Sequence, residues 1–231
     1  MELEAELATA RDLDVAELAD AIETIGFECT RCGACCKGHG GEHTATVFPD
    51  EVREIAGEEY DWRDVARPMP FGLSAGEDGP EGETFEWALA TDACGDCAFY
   101  AEGDGDGDGD GGDPPGQCTI YGDRPLICET YPFSVGLEED DPGEADGLGT
   151  TEPMGGVVER AGVVRAHECE GLGRDISRED AEELARTLKE RTVRELEEAI
   201  GVRDNYAPTD THGVVVHDSE GQKRPDGSWL D

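Results

Sequence analysis

Four cysteines within eight residues, Cys29, Cys32, Cys35 and Cys36 in a CxxCxxCC run, restrict how this 231-residue chain can fold more than any other feature. A thiolate is a soft ligand for zinc or for an iron–sulfur cluster, and a two-residue spacer lets one tight turn aim two sulfurs at a shared centre. Cys29, Cys32 and Cys35 repeat at the three-residue interval by which ferredoxin loops place three thiolates on one cluster, the fourth ligand arriving from elsewhere in the chain. Cys35 and Cys36 are adjacent, so their side chains diverge in an extended loop. The pair is expected to serve two centres, or two metals of one cluster. Buried, inert thiols are the rival reading. Four so close together, flanked by Arg31, Lys37 and glycines, argue against it.

Five further cysteines follow, at 94, 97, 118, 128 and 169, making nine in all. Cys97 precedes Ala-Phe-Tyr and Cys118 precedes Thr-Ile-Tyr, two short apolar segments suited to paired strands that each present a sulfur. Cys169 lies in His-Glu-Cys-Glu-Gly-Leu-Gly, where Gly171 and Gly173 let the backbone turn closely around an inorganic centre. An odd number of cysteines fits ligation better than a disulfide framework. Cys94 and Cys97 form a CxxC, but no βαβ pattern surrounds them, which disfavours thiol–disulfide exchange. Cys94 divides evenly between spare ligand and ordinary thiol. His39, His43 and His167 neighbour the cysteines, and each is expected to be an ordinary solvated histidine. Arg124, before Pro125, reads either as a turn residue or as a donor to cluster sulfurs or to a substrate anion. Tyr131 and Phe133 are expected to shield the site from water.

Charge is the second constraint. Eighteen Lys and Arg against 57 Asp and Glu give a formal net charge of −39, with only three lysines, Lys37, Lys189 and Lys223. Such a surface repels itself in dilute buffer and is screened in molar salt, where the Debye length is about 3 Å. Acid excess with scarce lysine resembles the cytoplasmic proteins of extreme halophiles. It disfavours nucleic acid and anionic membranes as partners. Only 36% of the residues are hydrophobic, so the apolar core should be thin. The N-terminus lacks the basic and apolar regions of a signal peptide, and no apolar run approaches a membrane span, so a cytoplasmic location is expected.

Along the chain, Val15, Leu18, Ile22 and Ile25 share one helical face, with Asp14 as N-cap and Gly26 in the C′ position. Residues 44–48 read as a short strand and 50–59 as a helix. Residues 68–83, rich in Gly, Pro and acid, read as loop, and 84–90 as a strand. The Gly-Asp tract at 101–117 cannot bury enough surface to order itself and is expected to be a disordered insertion. Its resemblance to a calcium loop fails because position twelve is Pro115, and its GxGxxG follows no strand. Residues 126–135 and 157–166 read as strands, with an acidic loop at 137–153. Ser177 with Asp180 opens a long helix carrying Leu184, Leu188, Leu196 and Ile200, and Gly201 is expected to stop it. One strand is expected at 213–217, and Trp229 is isolated.

The segments CTRCGACCKG (29–38), CAFY (97–100), CTIYGDRPLICETYPF (118–133) and CEGLG (169–173) together resemble the YkgJ-type cysteine-cluster proteins, a zinc- or iron-chelating family. The resemblance spans residues 27 to 175. It implies a ligand set of Cys29, Cys32, Cys35, Cys36, Cys97, Cys118, Cys128 and Cys169, with Cys94 as an extra. Glu129 stands where relatives often carry a basic residue, so redox tuning transfers less readily than ligation. Flagellin lysine N-methylases carry a related cysteine pattern, but no glycine-rich strand-to-helix turn suggests a methyl-donor site here.

The expected fold is therefore α+β. A small irregular cysteine-cluster metal-binding domain with short strands occupies 27–175, flanked by an N-terminal helix in 1–26 and a C-terminal helix in 176–201, with a tail at 202–231. The expected function is ligation of an iron–sulfur cluster, of 4Fe-4S type, or of zinc, with electron transfer to an unidentified redox partner or a purely structural or sequestering role.

Overall fold

The computed structural model describes residues 3–38, 43–76, 79–101, 116–137, 156–210 and 212–230. The expectations for 102–115 and 138–155, and for His39, lie outside the described residues. The elements run α1 (Leu3–Asp12), α2 (Val15–Ile25), α3 (Pro49–Ala56), α4 (Trp62–Val65), β1 (Ala66–Pro68), β2 (Leu73–Gly76), β3 (Gly79–Thr84), β4 (Trp87–Leu89), β5 (Tyr100–Ala101) and β6 (Gln117–Cys118). They continue with α5 (Leu126–Thr130), β7 (Phe133–Val135), β8 (Val157–Ala161), β9 (Val164–His167), α6 (Arg178–Asn205), β10 (Val214–Asp218) and β11 (Gly221–Lys223). Helices and several small sheets together make the fold α+β, with helices towards both ends.

The helix ends form for the reasons the sequence suggests. Asp14 accepts from the backbone N–H groups of Ala16 and Glu17, and Gly26, at φ +76°, donates to Ile22 O. Ser177 accepts from Asp180 N. The apolar stripe of α2, Leu18, Ala19, Ile22 and Ile25, packs on Ala181, Ala185 and Leu188 of α6 and on Phe133, Val164 and Ala166 of the sheet β7-β9-β8. A second core gathers Val47, Val52, Val65, Trp87, Leu89, Cys97, Phe99 and Val216, with Cys36 and Cys128 packed against it. Leu7 and Ala10 of α1 meet Leu196 in a third. Helix α6 contributes to the first and third of these cores and contacts the β10 region.

Several expectations are corrected. Residues 68–83 are not loop: β2 pairs with β3, and β10 joins β3 in parallel, from Val214 opposite Gly82 to Val216 opposite Thr84. Glycines at positive φ (Gly72, +82°; Gly82, +130°) give this segment its turns and close approaches, and these are the residues that make it read as loop. Residues 126–135 are one short helix followed by a strand, because Pro125 and Glu51 start a helical turn: Leu126 N donates to Glu51 Oε1 at 2.9 Å. Residues 44–48 contribute only a bridge between Thr46 and Ala88. Residues 84–90 divide, with β3 ending at Thr84 and β4 beginning at Trp87. Gly201 does not end α6, which runs to Asn205; a Cβ there would lie 2.6 Å from Ser219 Cβ, so the glycine admits the turn after β10. The strand expected at 213–217 is β10, and Trp229 bridges to Lys223.

Between β3 and β4, the carboxyl of Glu86 is pushed up to about 8, first by burial and then by Glu195 and Glu198. Below the ordinary carboxylate range both folded and unfolded chains hold this proton, and there is no penalty. As pH rises towards 8 the unfolded chain releases it first, so stability falls across that window. Glu86→Gln is expected to raise the thermal midpoint at pH 8.5 and leave it unchanged near pH 4.5. Because the residue is partly exposed, the gain is on the order of 1–2 kcal/mol. Melts at the two pH values check this.

Candidate metal centre

The cysteine run folds as a loop with two left-handed residues, Arg31 at φ +55° and Gly33 at φ +73°, followed by a 3-10 turn over Ala34–Cys36. A Cβ on Gly33 would stand 2.4 Å from the Tyr100 ring, so only glycine lets the loop lie against that aromatic face. Three backbone connections then bring distant cysteines to the loop. Glu28 N donates to Gly171 O, and Gly173 N donates to Gly26 O, drawing the Cys169 segment alongside Cys29. Gly171 is required for that approach, since a Cβ would fall 2.3 Å from Glu28 O. Cys97 N donates to Cys36 O at 2.8 Å, and Tyr100 pairs with Cys118 across β5 and β6. Of the expected strand pairing between the CAFY and CTIY segments, only Tyr100 opposite Cys118 is present, so Cys118 lies in the ladder while Cys97 precedes it on the turn before β5.

Cys128 arrives on α5. Glu51 holds the start of that helix, and Arg191 of α6 holds its end, Nη1 donating to Thr130 Oγ1 at 2.9 Å and to Phe133 O at 3.0 Å. Arg191 is itself buried and paired with Glu195 at 2.7 Å. These contacts make the position of Cys128 depend on two helices remote from it in sequence.

The neighbours that perturb the thiols fall into two sets, each including Cys35. The Cys169 thiol is raised first by burial and then by Cys32, Cys35 and Cys29. Cys128 is pushed well up by burial, then by Cys97, Cys35 and Cys118. Cys97 is pushed up to about 11, again by burial first, with Cys118 and Cys35 adding repulsion. Cys118 is raised by burial, and Cys35 by its hydrogen bond with Cys36 and then by desolvation. Arg124 acts in the opposite sense on Cys35, Cys118 and Cys128. Without a cation these thiols keep their protons at neutral pH; a bound metal ion reverses that preference. Gly171 N donates to Cys169 Sγ at 3.4 Å, an N–H···S contact that supports this sulfur directly.

Cys29, Cys32, Cys35, Cys128 and Cys169 line a cavity of about 510 Å³, together with Arg31, Tyr121, Arg124, Tyr131 and residues of α6. Cys36 and Cys97 face the second core behind it. The sulfurs are gathered without being closed: among the described residues, no three His, Cys, Asp or Glu side chains form a group that could hold an ion as placed. The donor set nevertheless fits zinc or iron, being several soft thiols brought from five parts of the chain. Cys94 is exposed on the turn at 92–96 and lines neither the cavity nor the core.

His43 is a correction. It is 8% exposed rather than solvated, its Nε2–H donates to Cys35 O at 3.1 Å, and burial lowers its pKa. It pins the cysteine loop from behind, a role that proximity in sequence does not reveal. His167 pairs with Ser134 Oγ at 2.9 Å across β9 and β7. Tyr131 lines the cavity and donates its hydroxyl to Glu168 O, whereas Phe133 is fully buried in the helical core, edge-on to Phe27. Among the described residues, no helix is long and apolar enough to cross a membrane.

Residues 28–154, more than half of the chain and seven of the eight gathered cysteines, match the CxxCxxCC family model, described as a "putative zinc- or iron-chelating domain"; Cys169 lies beyond the match. No curated protein and no solved structure matches. The chain thus belongs to the CxxCxxCC family of zinc- or iron-chelating domains.

Proposed function

We propose that Cys29, Cys32, Cys35, Cys36, Cys97, Cys118, Cys128 and Cys169 ligate an iron–sulfur cluster and that the protein carries electrons to and from a partner. The observation that supports this most is that Cys29, Cys32, Cys35, Cys128 and Cys169 line one cavity, with Cys97 bonded through its N–H to Cys36 O behind it and Cys118 paired with Tyr100. Eight sulfurs exceed the four that either one tetrahedral zinc or one iron–sulfur cluster takes, so the set suits more than one centre, and the three-residue interval of Cys29, Cys32 and Cys35 favours a cluster for one of them. When bound, the cluster would supply one-electron redox chemistry at this site. The chain's own residues give it a dry rear wall of Trp87, Leu89 and Phe99, an opening towards solvent at Cys35, and a cation, Arg124, beside the sulfurs. Each of these adjusts the energy of a negatively charged centre.

A structural zinc centre is the second reading. It is favoured by the packing of Cys36, Cys97 and Cys128 against the second core, where ligation would add to folding stability. The acidic surface with three lysines supports a salt-adapted, cytoplasmic protein, without nucleic-acid or membrane partners.

Purification without oxygen distinguishes the two. The cluster reading expects a brown protein containing iron and acid-labile sulfide, with broad visible absorption that dithionite bleaches. A colourless protein with stoichiometric zinc and no reducible chromophore overturns it.

A further inference from the structure

We propose that Arg31 and Arg124 form a binding subsite for a small monocarboxylate at the mouth of the cysteine cavity. The subsite adjoins the proposed metal centre and deepens that reading.

The first observation is one of pairing. In a chain with 57 acidic residues, arginines readily find carboxylates. Arg11, Arg53, Arg178, Arg186, Arg191, Arg194 and Arg203 each meet one within 2.9 Å. Arg31 and Arg124 both line the cavity, and neither has a carboxylate within ion-pair distance among the described residues. The Nε of Arg124 is buried with no hydrogen-bond partner. An orphaned guanidinium N–H is costly to bury, so a ligand able to accept from it would be stabilising.

The second observation is their geometry. Both guanidiniums sit over the ring of Tyr121, with Cζ 4.2 Å from its centroid for Arg31 and 3.9 Å for Arg124. Two like charges on one ring repel each other, and an anion close to both would reduce that repulsion. Arg31 adopts a left-handed backbone, φ +55°, unusual for a residue with a long side chain. The thiols of Cys35, Cys118 and Cys128 feel Arg124, while Arg31 is exposed at the rim. Balancing the sulfurs therefore accounts for Arg124 better than for the pair.

The chemistry of the occupant follows from the lining. A planar guanidinium fork matches a carboxylate or a phosphate equally well in shape. Seven carboxylate residues, Glu129, Glu168, Asp180 and Glu183 among them, line the same cavity, however, and would repel a ligand of charge −2 or more most strongly. A single carboxylate satisfies the arginines at the least cost. A cavity of about 510 Å³ is within the usual range for small-molecule sites.

The test is an NMR titration of the full chain, metal-loaded and metal-free, with acetate, benzoate, inorganic phosphate and methylammonium at constant ionic strength, and with metal content measured in every sample. The expected result is saturable shifts of the Arg124 Nε–H and of the amides of residues 30–35 with both carboxylates. Phosphate should bind at least about tenfold more weakly, and methylammonium should leave these signals unmoved. Arg31→Gln should weaken carboxylate binding about tenfold with metal content unchanged, and Arg31→Lys should recover only part of it. Absence of saturable shifts, equal binding of phosphate, or binding indifferent to Arg31→Gln overturns the proposal. Carboxylate binding in samples that take up no metal would leave the subsite standing and defeat the metal reading instead.

Discussion

Replacing Cys128 with Ser is expected to remove most of the bound metal and the cooperative unfolding of the second core, while Cys94→Ser changes neither. The two cysteines differ in surroundings, not in chemistry. Cys128 packs against a core that includes Val52, Trp87 and Phe99, and its thiol is pushed far up by burial and by three neighbouring cysteines. Such crowding destabilises thiolates in the absence of a cation and turns favourable once a metal ion binds. Serine keeps the shape but supplies no soft anionic donor. Since structural zinc in small domains contributes roughly 10–16 kcal/mol of apparent binding free energy, loss of one ligand should cost several kcal/mol of stability in the loaded protein. Cys94 is exposed, its amide capped by Asp92. Metal per chain and thermal melts, with and without chelator, separate ligation from packing: under chelation Cys128→Ser and the parent should melt together. Equal metal content in the two variants would refute Cys128 as a ligand.

The second large effect is expected at Lys223, where Lys223→Met should destabilise the protein by about 3–5 kcal/mol. Lys223 and Asp218 are each 1% exposed, with Nζ 2.8 Å from Asp218 Oδ2 and 2.5 Å from Glu220 Oε2. Asp218 Oδ2 also accepts from Trp87 Nε1 at 2.8 Å, and Asp218 Oδ1 accepts from Glu220 N and Gly221 N. The ammonium lies 5.4 and 5.1 Å from the ring centroids of Trp62 and Trp229. Removing the cation alone leaves Asp218 buried and negative. The double variant with Asp218→Asn should recover part of the loss, because it removes the uncompensated charge, and the double-mutant cycle measures the coupling. For a chain of this size the single variant should lower the thermal midpoint by on the order of 10 °C. A change below about 1 kcal/mol would show that the pair is as dispensable as a surface ion pair.

That cluster also shows what sequence alone could reveal. The caps at Asp14 and Ser177, the stripe on α2, the strand β10 and the spacing of the first four cysteines were legible because each depends on neighbours within a few residues. The tail was not. Its strand β10 pairs in parallel with β3, more than a hundred residues earlier, and Trp229 finds its place only through Lys223. Gly201 reads as a helix stop, yet its lack of a side chain serves an approach by Ser219 that no local pattern encodes. At the site, the cysteines were legible and their supports were not. His43 behind Cys35, Glu51 at the start of α5 and Arg191 at its end act across 8, 75 and 61 residues of chain. Their residue types are common, and only the tertiary fold gives them these partners.

The central claim is that sulfurs distant in sequence share one inorganic centre, and X-ray absorption at the metal edge of the protein as purified without oxygen tests it most directly. A first shell of sulfur alone near 2.3 Å is expected, with a metal–metal contribution if the centre is polynuclear. A shell of oxygen or nitrogen, unchanged when Cys32, Cys97 or Cys128 is replaced by Ser, would contradict it.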